Sequence, residues 1–159
     1  MEGPERVALE AAFRAHYVRL VRIAALLTGD SATAEDLVQE AFTRSRPFLP
    51  RLASDEPLPY LRQAVLNLWK NRQRRLSLER KRAQSIVPDP AVDPEAAWTT
   101  HLDVLRALSR LSARQRACVV LRYYEDMTEQ DVANVLGVSL GSVKRHTDRA
   151  LKRLREELT

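Results

Sequence analysis

The sequence predicts an all-α chain of two small helical domains joined by a proline-rich acidic linker. Three observations carry that expectation. Apolar residues recur at spacings of three and four through most of the chain, the period of an amphipathic helix. Only four Gly and 6% aromatic residues occur among 159, too few for a turn-rich β-sandwich. Pro88, Pro90 and Pro94 fall within seven residues and forbid a helix between two helical stretches.

The first helix is expected over about residues 5–27, with Leu9, Phe13, Tyr17, Leu20, Ala24 and Leu27 on one stripe. Gly29 can take the left-handed conformation that ends it. Asp30 or Ser31 then caps a second helix over about 32–46, whose inner face is Ala34, Leu37, Val38, Ala41 and Phe42. Three prolines between 47 and 57 break the pattern. A third helix follows over about 58–80, with Leu58, Leu61, Val65 and Leu68 inward. Leu66 and Trp69 lie off that stripe, either packed against the first helix or free to stack on a base.

The expected domains are 1–82 and 98–159, with 83–97 as the linker. In the second domain Trp98, Leu102, Leu105 and Leu108 form a stripe. Ser112 and Gln115 have capping-box spacing before a helix with Ala117, Val120, Leu121 and Tyr124 inside. Cys118 on that helix reads as a small buried hydrophobe. Residues 129–148 have helix-turn-helix spacing. Ala133 stands at the close crossing, Gly137 at the turn, and Val143 begins a stripe continued by Ala150, Leu151, Leu154 and Leu158. Thr128 and Ser139 are placed to cap the two helices.

Charge is distributed unevenly. The formal net charge of +5 comes from 26 basic and 21 acidic residues. Residues 62–82 hold Arg62, Lys70, Arg72, Arg74, Arg75, Arg80, Lys81 and Arg82 against Glu79 alone. Residues 144–155 hold Lys144, Arg145, Arg149, Lys152, Arg153 and Arg155 against Asp148 alone. The rest is acidic on balance, so the pattern points to a polyanion contacted at two places. A helix presenting Lys144, Arg145, Asp148, Arg149 and Lys152 suits a DNA major groove. Asp148 either accepts from a cytosine amine or orients Arg145 or Arg149, and the orienting role is favoured. Glu35, Asp36, Gln39 and Glu40 form an acidic face on the second helix, which suggests a basic protein partner. Asp36 is expected to gain from the helix dipole, while Glu40 repels it at i,i+4.

Other classes are excluded. A single Cys makes neither an internal disulfide nor a thiolate metal cage, and His16, His101 and His146 are scattered, so no metal or cofactor is expected. No carboxylate cluster or Gly-rich phosphate loop supports an enzyme. No apolar run approaches the roughly 20 residues of a membrane span. The opening MEGPERVALEAAFR lacks a signal-peptide core. A soluble cytoplasmic protein is expected.

AEDLVQEAFTR at 34–44 resembles the polymerase-binding helix of bacterial sigma factors of the extracytoplasmic-function group, in the sigma-70 family. The resemblance continues through YLRQAVLNLWKNRQRR at 60–75 and through the stretch from Leu111 to Leu158. It implies a sigma-2 and a sigma-4 domain and no catalytic chemistry. It assigns Asp36, Gln39 and Glu40 to core RNA polymerase, and the loop 47–57, with Arg51 and Ser54, to a flipped base of the minus-10 element. Asn67, Lys70 and Asn71 fall beside that element, with Arg72, Arg74 and Arg75 on its phosphates. Ser142, Lys144, Arg145, Asp148, Arg149 and Lys152 fall at the minus-35 element. The linker matches a segment threaded into the polymerase, and an anti-sigma factor is an expected partner. The chain departs from the family pattern at Tyr60, where Trp is common, in a flipped-base loop without Gly, and at His146-Thr147. Ser142 to His146 also resembles the helix-turn-helix of response regulators, which leaves a regulator binding DNA without polymerase as the alternative.

Overall fold

The computed structural model describes residues 3–83 and 102–158. Among these, every regular element is helical. They are α1 (Gly3–Thr28), α2 (Ser31–Ser45), α3 (Pro57–Ala83), α4 (Leu102–Ser109), α5 (Ala113–Val119), α6 (Glu129–Leu136) and α7 (Leu140–Leu158). A 3₁₀ turn spans Leu49–Arg51 and a π-turn spans Val120–Tyr124. The chain divides into two compact units, one built mainly on α1–α3 and the other mainly on α4–α7. Trp98 and almost all of the expected linker lie outside the described residues, but Ala83, its expected first residue, still belongs to α3.

In the first unit α1 buries Ala12, Leu20, Ile23 and Ala24, and α2 buries the five residues its spacing predicts. Gly29 closes α1 with φ +73°, a conformation a Cβ would oppose. Phe13 and Tyr17 stack at 4.3 Å between centroids, and both rings approach Phe42 of α2, at 5.4 and 6.2 Å. Phe13 stays 44% exposed, so the outer edge of this stripe is wet.

The inward face of α3 differs from the simple stripe. Leu61, Val65, Leu66 and Trp69 are buried, whereas Leu58 and Leu68 are half-buried. Leu66 and Trp69 are therefore core, and neither is free to stack on a base. The buried arc of α3 is thus wider than the i, i+3, i+4 line. The Trp69 indole N–H has no acceptor among the described residues.

The loop before α3 is tightly closed. Phe48 donates its N–H to the Ser45 carbonyl and Arg51 its N–H to the Phe48 carbonyl, while Leu49 is buried as an anchor. The Glu56 carboxylate accepts from the Ala53 N–H at 2.8 Å, and the Glu56 N–H donates back to the Ala53 carbonyl. Pro57 then opens α3, where no N–H is needed.

In the second unit Ser112 caps α5 as its spacing predicts. The Ser112 hydroxyl accepts from the Gln115 N–H at 3.2 Å, and the Gln115 side chain accepts from the Ser112 N–H. The Arg116 guanidinium donates to the Leu108, Ser109 and Leu111 carbonyls, tying α5 to the end of α4 and the turn after it. Leu108, Leu111, Val119 and Ala150 form one core cluster, with Leu154 packed on it. Leu158, expected on the same stripe, is 48% exposed because α7 runs past that cluster.

Tyr124 is also outside the core, at 48% exposure. The π-turn after α5 adds a residue to the helical repeat, so the stripe through Ala117 and Leu121 does not continue to position 124. Thr128 caps α6 by accepting from the Asp131 N–H at 3.1 Å, and the Ser139 hydroxyl accepts from the Ser142 N–H at 3.1 Å. Gly137 turns between α6 and α7 with φ +69°. Ala133 and Val143 are buried on the two helices. The expected helix-turn-helix is present.

Candidate nucleic-acid interface

Packing decides which side of α7 faces solvent. Val143, Thr147 and Ala150 are buried, while Lys144, Arg145, Asp148, Arg149 and Lys152 are exposed. Five of the six expected minus-35 residues therefore share the solvent side. Ser142 does not: it is 8% exposed, in the first turn of α7, and its N–H is held by Ser139. The cap that starts the helix draws it inward. Asp148 makes no ion pair among the described residues, so the structure gives no support to its orienting Arg145 or Arg149.

His146 is half-buried, and its Nδ1 is covered and has no hydrogen-bond partner. Burial, then the positive fields of Arg114, Arg145 and Arg149, hold its pKa below the ordinary histidine value. Cys118 is buried beneath the same region. Burial pushes its thiol up to about 11, against smaller opposing pulls from the Thr147 hydroxyl and Arg114. It is a packing residue.

On α3 the polar residues beyond the core present Asn67, Asn71, Arg74 and Arg75 to solvent, with Lys70 and Arg72 half-buried. Gln63 donates to the Asn67 Oδ1 at 3.0 Å, which fixes the Asn67 amide and aims its NH₂ away from that bond. Lys70 is held below the usual lysine pKa by burial and by Arg74. Arg51 and Ser54 are exposed on the preceding loop. Sequence reasoning misses one feature of this loop. Phe48 and Tyr60 pair at 6.3 Å, 46% and 37% exposed, and only their separation across three prolines conceals the pairing.

On α2, Glu35, Asp36, Gln39 and Glu40 are all exposed, opposite the buried face. Asp36 lies beyond the first turn, which contains no acid, so it does not gain from the dipole as expected. Glu40 is paired with Arg44 at 2.6 Å, which offsets its repulsion of Asp36. Among the described residues no group of three His, Cys, Asp or Glu is placed to hold a metal ion. No described helix is long and apolar enough to cross a membrane.

The two units thus define a helical DNA-binding factor with an acidic face on one helix and a helix-turn-helix in its second unit. Comparison with known proteins places it more closely. Residues 12–79 match the model of Sigma-70 region 2, and residues 107–156 match Sigma-70, region 4. The chain is 35% identical to an RNA polymerase sigma-E factor of Streptomyces avermitilis, over 99% of this chain and 89% of that protein. It is 32% identical to the ECF RNA polymerase sigma factor SigM of Mycobacterium tuberculosis, over 94% and 76%. Its fold matches that of the sigma factor RpoE from Bartonella quintana, crystallised with the anti-sigma factor NepR. The TM-score is 0.71 at 24% identity, covering 96% of this chain and 92% of that one. The chain belongs to the extracytoplasmic-function group of the sigma-70 family, a family of regulatory transcription factors. Membership favours the sigma-factor reading over a regulator that binds DNA without polymerase.

Proposed function

We propose that the chain docks on core RNA polymerase through α2 and carries promoter recognition on α3 and α7. The observation that carries this reading is the separation of charge on exposed helix faces. Asp36, Gln39 and Glu40 stand on α2, and the cations stand on α3 and α7. Residues 1–83, to the end of α3, act as the polymerase and minus-10 domain, 98–159 as the minus-35 domain, and 84–97 as the linker between them.

Each part has a physical role. Lys144, Arg145, Arg149 and Lys152 offer donors to guanine edges and phosphates, and Asp148 an acceptor to a cytosine amine. Ser142 is left out of the reading surface because it is buried. Arg72, Arg74 and Arg75 neutralise phosphates, so affinity falls steeply with salt. Asn67, Lys70 and Asn71 flank the minus-10 element, with Arg51 and Ser54 on the loop that receives an extruded base. Capture of that base offsets part of the unstacking cost, a few kcal/mol per step. The catalysis is the polymerase's, and the chain supplies recognition. That work places it in the cytoplasm.

The RpoE relative was crystallised with an anti-sigma factor, and a protein inhibitor of that class is the proposed regulatory partner here. The test of the main reading is run-off transcription with core enzyme on a promoter library. Promoter-specific transcripts that depend on this chain are expected. Their absence, together with no binding to core, overturns the reading. Tight sequence-specific binding of duplex DNA by the chain alone would favour the regulator instead.

A further inference from the structure

Leu78 is 54% exposed on the distal half of α3. Trp69 is the last buried side chain before it, and none between residues 70 and 82 is buried. Folding therefore gives no reason for a leucine there. A lone exposed leucine is ordinary, but the neighbours of this one are not. On a helix surface the residues three and four positions away are adjacent. At Leu78 these are Arg74, Arg75, Lys81 and Arg82, all basic and all exposed. At 100° per residue, Arg74 and Lys81 lie about 40–60° to one side of Leu78, and Arg75 and Arg82 as far to the other. Glu79 stands about 100° round the helix, outside this ring.

We infer that α3 continues past the minus-10 positions as a groove-reading helix, with Leu78 on a thymine methyl group of the paired DNA just upstream. Arg74, Arg75, Lys81 and Arg82 then hold the phosphates of both strands. The inference rests on the reading of α3 as the minus-10 helix. Asn67, Asn71, Arg74 and Leu78 follow at spacings of four, three and four on the solvent side, so one face leads from the minus-10 positions to the leucine. The loop that receives the extruded base precedes α3, and Leu78 lies about 30 Å along the helix from Pro57. It therefore meets DNA on the side away from the melted bases, where the strands are still paired. An apolar centre between two basic flanks matches the major groove of a T·A pair, whose C5-methyl is its apolar group. The two cations on each flank stand about 10 Å apart along the axis, so they reach separate phosphates of one strand. An apolar protein surface is the competing occupant. Four like charges around Leu78 oppose it, because desolvating them costs more than one leucine returns.

The experiment uses holoenzyme, the full chain with core, on fluorescent fork probes: paired upstream, with the minus-10 bases of one strand already unpaired. The probes carry a promoter recovered by run-off selection, with each upstream pair set in turn to T·A or A·T. Polarisation is compared for dT and dU at the same position, which differ only by the methyl group. At one position wild type should bind dU about fourfold more weakly, the burial of one methyl group. Leu78→Ala should bind the dT probe at least as weakly as wild type binds dU, with no further loss on dU, while Leu78→Met keeps the preference. Lys81→Ala combined with Arg82→Ala should lower the slope of log affinity against log salt by roughly 1.8, two phosphate contacts. Indifference of wild type to dU at every position, or the same dU loss in wild type and Leu78→Ala, overturns the inference. So does a Leu78→Ala chain that binds core more weakly with its thymine preference intact, since Leu78 then faces polymerase. Failure of wild-type holoenzyme to hold any fork probe overturns the reading of α3 beneath it as well.

Discussion

The backbone N–H of Glu125 donates to the carbonyl of Val120 at 3.1 Å, a partner five residues back. That one extra residue leaves Tyr123 and Tyr124 outside the core, while Leu121 is sealed at 0% exposure. Tyr124→Ala should therefore change stability by less than ~0.5 kcal/mol, whereas Leu121→Ala should cost ~2–5 kcal/mol. Urea unfolding followed by circular dichroism separates the two. Equal losses would place Tyr124 in the core.

Gly137 isolates a backbone cost. Its φ of +69° is strained for any side chain, yet nothing lies within 4 Å of where a Cβ would stand. Gly137→Ala should destabilise the second unit by about 1 kcal/mol without a cavity or clash. A loss several times larger in the denaturation midpoint would mean that the turn also depends on a close contact.

Asp36 gives the cleanest variant on the polymerase face. It is exposed and lies beyond the first turn of α2, and Arg is at least as good a helix former as Asp. Asp36→Arg should keep the fold and weaken core binding about tenfold, near 1.4 kcal/mol. Titration of labelled core against the variant would show it, and unchanged affinity would move the docking surface elsewhere.

The titrating groups set opposite pH limits. His16 and His146 are held below their ordinary 6.5, so the unfolded chain takes up their protons first as pH falls. Stability should therefore drop as pH passes below 6.5, and level off once the folded imidazoles are also charged. Cys118 has the reverse sign. Its thiol rises from 9.0 to about 11, so stability should fall as pH climbs from about 9 toward 11. Melting temperatures across pH for wild type, His146→Gln and Cys118→Ala would assign each limb. A native chain that reacts rapidly with maleimide at pH 7 would contradict the burial of Cys118.

The caps and turns of this fold are legible in the sequence because each depends on partners a few residues away. Ser112, Thr128, Ser139 and Gly137 all stand where spacing puts them. The apolar face of α2 is legible for the same reason. Features set by distant packing are not. The π-turn leaves no local mark, so helical spacing alone sends Tyr124 inward. Trp69 and Leu66 join the core because the buried arc of α3 is wider than one stripe, and spacing along the helix does not set that width. Ser142 is a polar residue in a promising motif, and only the geometry of the cap reveals its burial.

α3 is a single helix of 27 residues, about 40 Å long at 1.5 Å per residue. Its first half is clamped by Leu61, Val65, Leu66 and Trp69, while its second half carries the arginines. The helix therefore converts packing into angle. Removing Gln73 would leave those four anchors untouched and swing every later side chain by about 100°. Arg74 and Arg75 would keep their charge and their approximate height along the axis, but point to a different side. Promoter binding that survives such a deletion would depend on charge alone; binding that fails and returns when Gln73 is restored would show that the helix also keeps time.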